Sequence, residues 1–207
     1  MQGAQARPVN VVTRLPIVGV MGSSAAEHAD LAVPLGRWLG AQSVHLLTGG
    51  GGGVMEAVSR AFCEVPGRRG HSIGIIPRAE AAPGPGAGGC PDAPAEPGRE
   101  TRYGYPNPWI EIAIFTHLPL SGPRGTEPMS RNHINILTAD VIVALPGSAG
   151  TASEVALARR YGRPLIAYLR DRREIPGLAE DIAMTSDFDT VTRFILAHMG
   201  PPPGGTA

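Results

Sequence analysis

The chain contains no lysine. Its 18 basic residues are all arginine and are matched by 18 acidic ones, so the net charge over 207 residues is zero. This removes the Schiff-base amine and the lysine phosphate clamp, and any cation at a site must be Arg or His. The ATP-binding loop G-x-x-x-x-G-K-[ST] is excluded by the same absence. Zero net charge does not favour non-specific nucleic-acid binding, so no nucleic-acid partner is expected. Only two cysteines occur, Cys63 and Cys90. They suggest neither a disulfide framework nor a zinc site, and no metal ligands are expected. No apolar run reaches membrane-spanning length, and the first ten residues lack the apolar core of a secretory signal. A cytoplasmic chain with no membrane partner is the expectation. The length suits one α/β domain better than two.

What the chain does have is glycine placed directly after strands. In Asp140-Val-Ile-Val-Ala-Leu-Pro-Gly-Ser-Ala-Gly-Thr-Ala-Ser-Glu154, Val141 to Leu145 is a short apolar run suited to a buried parallel strand. Pro146, Gly147 and Gly150 break it, and Ala152 to Tyr161 reads as a helix that Thr151 or Ser153 is able to cap. Such a strand–turn–helix unit aims free backbone N–H groups and the positive end of a helix dipole at one point, where a phosphate fits. Glu154 is expected in the first turn of that helix. Ser43 to Leu47 is a second strand, followed by Gly49, Gly50, Gly51, Gly52 and Gly53 and then the helix Val54 to Phe62 with Met55 in its first turn. Five successive glycines let a ligand approach the backbone closely.

Leu15 to Met21 is the first strand, with Gly22 and Ser23 in the turn after it. Glu27 to Leu39 is a helix, with Pro34 expected to bend it or to mark a late start. Further strands are expected at His71–Ile76, within Pro108–Thr116 and at Leu165–Leu169. Further helices are expected at Thr126–Thr138, with Ile134 and Leu137 facing the core, and at Phe188–Met199. Arg131 and Asn135, four apart, share another face of the former. Arg170 to Pro176 reads as a charged loop. Residues 1–13 read as a flexible arm, 79–105 as a mobile Pro/Gly-rich insertion and 201–207 as a disordered tail. This leaves 14–200 as a single α/β domain, a Rossmann-like doubly wound parallel sheet with helices on both faces. Ligands bind such sheets beyond the carboxyl ends of the strands, which is where all three glycine turns fall. The dinucleotide fingerprint is missing, since only Gly19-Val-Met-Gly22 follows the first strand. A mononucleotide or similar phosphorylated molecule fits the turns better.

Gly49-Gly-Gly-Gly-Gly-Val-Met-Glu-Ala57 together with Pro146-Gly-Ser-Ala-Gly-Thr-Ala-Ser-Glu154 resembles the paired motifs of the LOG-like (SLOG) superfamily. Two branches bear on function. Lonely Guy phosphoribohydrolases cleave the N-glycosidic bond of nucleoside 5′-monophosphates, and molybdenum-cofactor carrier proteins bind a phosphorylated pterin without transforming it. Ile17-Val-Gly-Val-Met-Gly22, Ser130-Arg-Asn-His-Ile-Asn135 and Gly150-Thr-Ala-Ser-Glu-Val-Ala-Leu157 look closer to the carrier branch. The resemblance implies a phosphorylated ligand, molybdopterin or a nucleoside monophosphate, held by Gly22, Ser23, the glycines 49–53, Met55, Arg131, Asn135, Pro146, Gly147, Ser148, Ala149, Gly150, Thr151 and Glu154. If the chain is an enzyme, Arg131 and Glu154 hold the positions of the hydrolase branch's catalytic pair. The same two residues also suit an ion pair that fixes two helices. Ser148 in place of the second motif glycine, a first glycine loop one residue shorter, the 79–105 insertion and the 120–128 segment all depart from the hydrolase pattern. Family precedent implies a homodimer or homotetramer.

Overall fold

A computed structural model describes residues 14–79 and 104–199. The arm 1–13, all but the ends of the 79–105 insertion and the tail lie outside the described residues. Seven strands form one parallel sheet. They are β1 (Ile17–Met21), β2 (His45–Thr48), β3 (Ser72–Ile76), β4 (Ile112–Phe115), β5 (Val141–Ala144), β6 (Leu165–Tyr168) and β7 (Met184–Thr185), in the order β4-β3-β2-β1-β5-β6-β7. β1 is therefore bonded on both sides, and the direction of winding reverses between it and β5. That reversal opens a crevice at the carboxyl ends of the two strands. The doubly wound expectation holds.

Helices α1 (Ala29–Ala41), α2 (Val54–Cys63) and α5 (Phe188–His198) cover one face, and α3 (Asn132–Thr138) and α4 (Ala149–Arg160) cover the other. Under the first lie Val18, Val20, Leu46, Val141 and Val143 with Leu35, Leu39, Phe62 and Ile195. Under the second lie Met21, Leu47, Ile73, Ile75 and Ile142 with Ile136 and Leu157. Alternation along each strand feeds both cores, which is why the strands read as unbroken apolar runs. A third cluster joins Val155 of α4 to Leu169, Ile175, Leu178 and Ile182.

α1 and α2 pack very closely at Gly36. A Cβ there would stand 2.5 Å from the Val58 carbonyl oxygen and 2.9 Å from Ala61 Cβ. Overpacking costs about 1–3 kcal/mol, and the helix-propensity gain of about 1 kcal/mol offsets only part of that against a backbone carbonyl. Gly36→Ala is thus expected to lose about 1–2 kcal/mol, measured as a lower urea midpoint at constant slope.

The elements differ from expectation in several places. α1 starts two residues late and runs through Pro34. The residues before it are held in a turn by Ser23 Oγ, which accepts from the N–H groups of Ala25 (3.1 Å) and Ala26 (2.9 Å). α3 starts at Asn132, not Thr126, because Pro128 and the turn that carries it occupy Glu127 to Ser130, and Leu120 bridges to Ser130 in a parallel ladder. With that start, Asn132, Asn135 and Ile136 face inward; Ile136 is fully buried, and Leu137, expected in the core, is 47% exposed. α4 begins at Ala149, three residues early, so neither Thr151 nor Ser153 caps it, and Ser148 at the cap position makes no side-chain bond. Glu154 consequently lies in the second turn. The two-residue β7 and the short 3-10 turns at Gly122–Arg124 and Arg172–Glu174 were not expected. The remaining ends shift by one or two residues, and β4 takes the C-terminal part of its expected segment.

Candidate functional site: a rim of glycine turns

The three turns converge on Ser23. Its N–H donates to the Pro146 carbonyl (3.0 Å), and its own carbonyl accepts from Val54 N (2.9 Å). The turn after β1 is thereby tied on one side to the turn after β5 and on the other to the start of α2. Gly22 packs on the Val54 side chain, and Gly147 lies beside Ser23 N and Thr151. The sheet order makes this convergence unavoidable, because β1 lies between β2 and β5. α2 and α4 both begin at this rim, so two helix dipoles point their positive ends at it. No acidic residue occupies the first turn of α4.

The backbone of 49–53 is held from behind. The Arg131 guanidinium donates to the carbonyl of Gly49 (2.8 Å) and to that of Ile75 (2.7 Å). Asn107 N donates to the Gly50 carbonyl (2.8 Å), and Asn107 Nδ2 donates to the Gly51 carbonyl (2.8 Å). In a planar trans peptide the carbonyl of one residue points opposite to the N–H of the next. With the carbonyls of 49–51 drawn back, the N–H groups of 50–52 point forward. Gly50 N reaches Thr48 Oγ1 (3.0 Å). Among the described residues no protein acceptor is recorded for the N–H groups of Gly51, Gly52 and Gly53, or for those of Ser148, Ala149, Gly150 and Thr151. The first N–H groups of a helix have no partner within it.

Beneath the rim lies a polar seam between α3 and α4. Asn132 Nδ2 donates to Ser153 Oγ (3.0 Å), Ser153 Oγ donates to the Gly150 carbonyl (2.7 Å), and Asn135 Nδ2 donates to Glu154 Oε1 (3.1 Å). Asn135 and Glu154 are buried, and among the described residues Asn135 Oδ1 has no hydrogen-bond partner. Burial pushes the Glu154 carboxyl above its ordinary range, opposed by the Arg131 charge and the Asn135 hydrogen bond. The expected helix-fixing pair thus takes another form. Arg131 precedes α3 and serves two carbonyls, while Glu154 meets Asn135. His133 lies between the Tyr161 hydroxyl (2.7 Å) and the Glu127 carbonyl (2.9 Å), a structural placement. The turn at Gly122–Gly125 packs on Ser153 and Asn132 beside the start of α4.

All the expected site residues fall at this rim or just below it. Met55 lies with Arg131 against Gly49. Pro146 contributes its carbonyl, and Ser148 and Ala149 open α4. Two contributors were missed, Asn107 and Thr48. Asn107 had a signal, since Asn before Pro favours a side-chain turn, and its Oδ1 accepts from Trp109 N (3.0 Å). The Tyr105 ring rests on Gly51 and 5.8 Å from the Arg131 guanidinium carbon.

Comparisons with known proteins find the same fold. A molybdenum cofactor binding protein from Rippkaea orientalis is 27% identical at a TM-score of 0.62, over 89% of this chain and 97% of that one. The molybdenum cofactor carrier protein from Chlamydomonas reinhardtii is 25% identical at 0.55, over 88% and 99%. DNA processing protein A from Helicobacter pylori, described for its single-stranded DNA binding, shares the fold at 14% identity and a TM-score of 0.58, over 88% and 80%. No curated protein matches the chain. The sequence model of the SLOG cluster4 family matches residues 15–193. With that match and the glycine rim in place, the chain belongs to the SLOG cluster4 family.

Proposed function

We propose that the chain binds a phosphorylated, nucleotide-like small molecule at this rim and acts as a molybdenum-cofactor carrier type of protein. The observation that carries the reading is the set of forward-pointing N–H groups on two loops that Ser23 ties together. Main-chain donors at two helix starts suit a phosphate without any lysine. The N–H groups of 51–53 and 148–151 would hold the phosphate of a pterin cofactor or nucleotide. Among the described residues no group of three His, Cys, Asp or Glu side chains is placed to ligate a metal. The reading assigns the phosphate end of such a ligand to these N–H groups. The likeness to the molybdenum cofactor binding protein from Rippkaea and to the carrier protein from Chlamydomonas supports it.

The alternative is hydrolysis of a nucleoside 5′-monophosphate by Glu154 and Arg131. It needs a carboxylate presented to the sugar, and Glu154 is buried below the rim with one oxygen held by Asn135. Incubation with AMP separates the readings. AMP is expected to bind, by calorimetry, and to be recovered intact. Release of adenine and ribose 5-phosphate, abolished by Glu154→Gln, would establish the hydrolase instead. Binding of neither AMP nor inorganic phosphate would sink both.

A further inference from the structure

We infer that Asn107 is a positioning residue of the anion site, a strap that turns the N–H groups of Gly51 and Gly52 toward the ligand. The inference rests on the phosphate reading above and adds to it how the glycine loop is kept ready. Five glycines in a row have the largest conformational freedom a chain can have, so a loop of this composition does not by itself hold any N–H in place. Ordering it at the moment of binding would cost conformational entropy at every residue fixed.

Asn107 removes that cost in advance. It is 4% exposed, and it uses every polar group that faces the loop. Its N–H takes the Gly50 carbonyl and its Nδ2 the Gly51 carbonyl, both at 2.8 Å. Its Oδ1 is occupied by Trp109 N at 3.0 Å, which fixes the amide orientation so that Nδ2 faces Gly51. The two carbonyls it captures belong to the peptides whose N–H groups are those of Gly51 and Gly52. Holding the carbonyls is the same act as aiming the N–H groups. Arg131 does this for the preceding peptide, at Gly49. The Tyr105 ring fills the space beside Gly51 where a side chain would otherwise stand, 2.6 Å from the position of a Cβ. The segment before β4 therefore serves a site built on β1, β2 and β5.

The test separates this role from ordinary packing. Asn107→Ser keeps a hydroxyl able to hold the Trp109 turn but is too short to reach Gly51. Asn107→Ala loses both side-chain bonds, to the Gly51 carbonyl and from Trp109 N, and keeps the main-chain bond to the Gly50 carbonyl. Inorganic phosphate is titrated into 15N-labelled full-length protein and both variants, well below their unfolding midpoints. In the unaltered protein phosphate is expected to shift the Gly51 and Gly52 amide signals. The Ser variant is expected to resemble the Ala variant, with phosphate bound roughly tenfold more weakly and the Gly52 amide displaced before phosphate is added, while the main-chain bond to the Gly50 carbonyl keeps the Gly51 amide in place. A Ser variant that binds phosphate like the unaltered protein would overturn the inference and leave the phosphate reading standing. Unmoved Gly51 and Gly52 signals in the unaltered protein would overturn the phosphate reading and this role with it. One measurement needs no variant, the scalar coupling across the hydrogen bond from Asn107 Nδ2 to the Gly51 carbonyl. Its presence is expected, and its absence overturns the strap.

Discussion

Arg131→Ala is expected to cost the fold about 3–5 kcal/mol, the range for removing one member of a buried charged set. The side chain is 4% exposed and gives a charged donor to two carbonyls, those of Gly49 and Ile75. Each loses a hydrogen bond of the stronger, charge-assisted kind, about 1.5–3 kcal/mol. Glu154 also loses the positive charge that opposes its burial. Against a total stability of about 5–15 kcal/mol, the loss is large enough to read directly in urea. The double variant Arg131→Ala with Glu154→Gln is expected to recover part of it, since no buried carboxyl then needs a counter-charge. Glu154→Gln alone has a distinct signature in pH. The folded-state value of Glu154 is raised, so its favourable contribution is complete below the ordinary carboxyl range and is lost as pH rises through the raised value. Unaltered protein should lose stability along that rise, and the Gln variant should lose less. A loss under about 1 kcal/mol for Arg131→Ala would show that water already serves these carbonyls.

Gly53→Ala is the second change with a large expected effect. Gly53 has φ 63° and ψ −132°, a region that side chains other than glycine's hydrogen avoid. A Cβ there would also stand 2.7 Å from the Ser24 carbonyl carbon and 2.9 Å from Ala25 N. Backbone strain costs about 1–3 kcal/mol, and collision with main chain that cannot rotate aside adds to it. Gly67, at φ 70° with nothing within 4 Å of its Cβ position, supplies the comparison. Gly67→Ala carries the strain without the collision. Gly53→Ala is expected to lower the melting midpoint further than Gly67→Ala and to weaken phosphate binding, because it pushes the glycine loop off the Ser23 turn. Equal losses in the two variants, with phosphate binding intact, would show that the Ser23 contact does not hold the site together.

The sheet and the place of the site were legible because each rests on local pattern. Apolar runs ending in glycine gave strands β1, β2 and β5, and the topology of parallel sheets placed their turns on one edge. What was not legible depended on partners distant in sequence. α3 lost its first six expected residues to a turn around Pro128 and a bridge with Leu120. The later start rotated the buried stripe from Leu137 to Ile136. α4 began early because glycine and alanine at 149–150 tolerate a helix start that composition alone reads as turn. β7 has only two residues and no periodicity to detect. Asn107 is separated from Gly51 by 56 positions, and no local rule connects them.

The sheet order also governs how the chain acquires its fold as it leaves the ribosome. β1 is made first, yet one of its flanks is closed only by β5. Residues 141–144 emerge more than a hundred residues after β1, which at about 5–20 residues per second leaves that flank waiting for several seconds or more. Through this interval β1 is an open, apolar edge strand of the nascent half, the type of surface on which chains join one another wrongly. The same adjacency that later assembles the rim leaves the unfinished chain open to mispairing until β5 arrives.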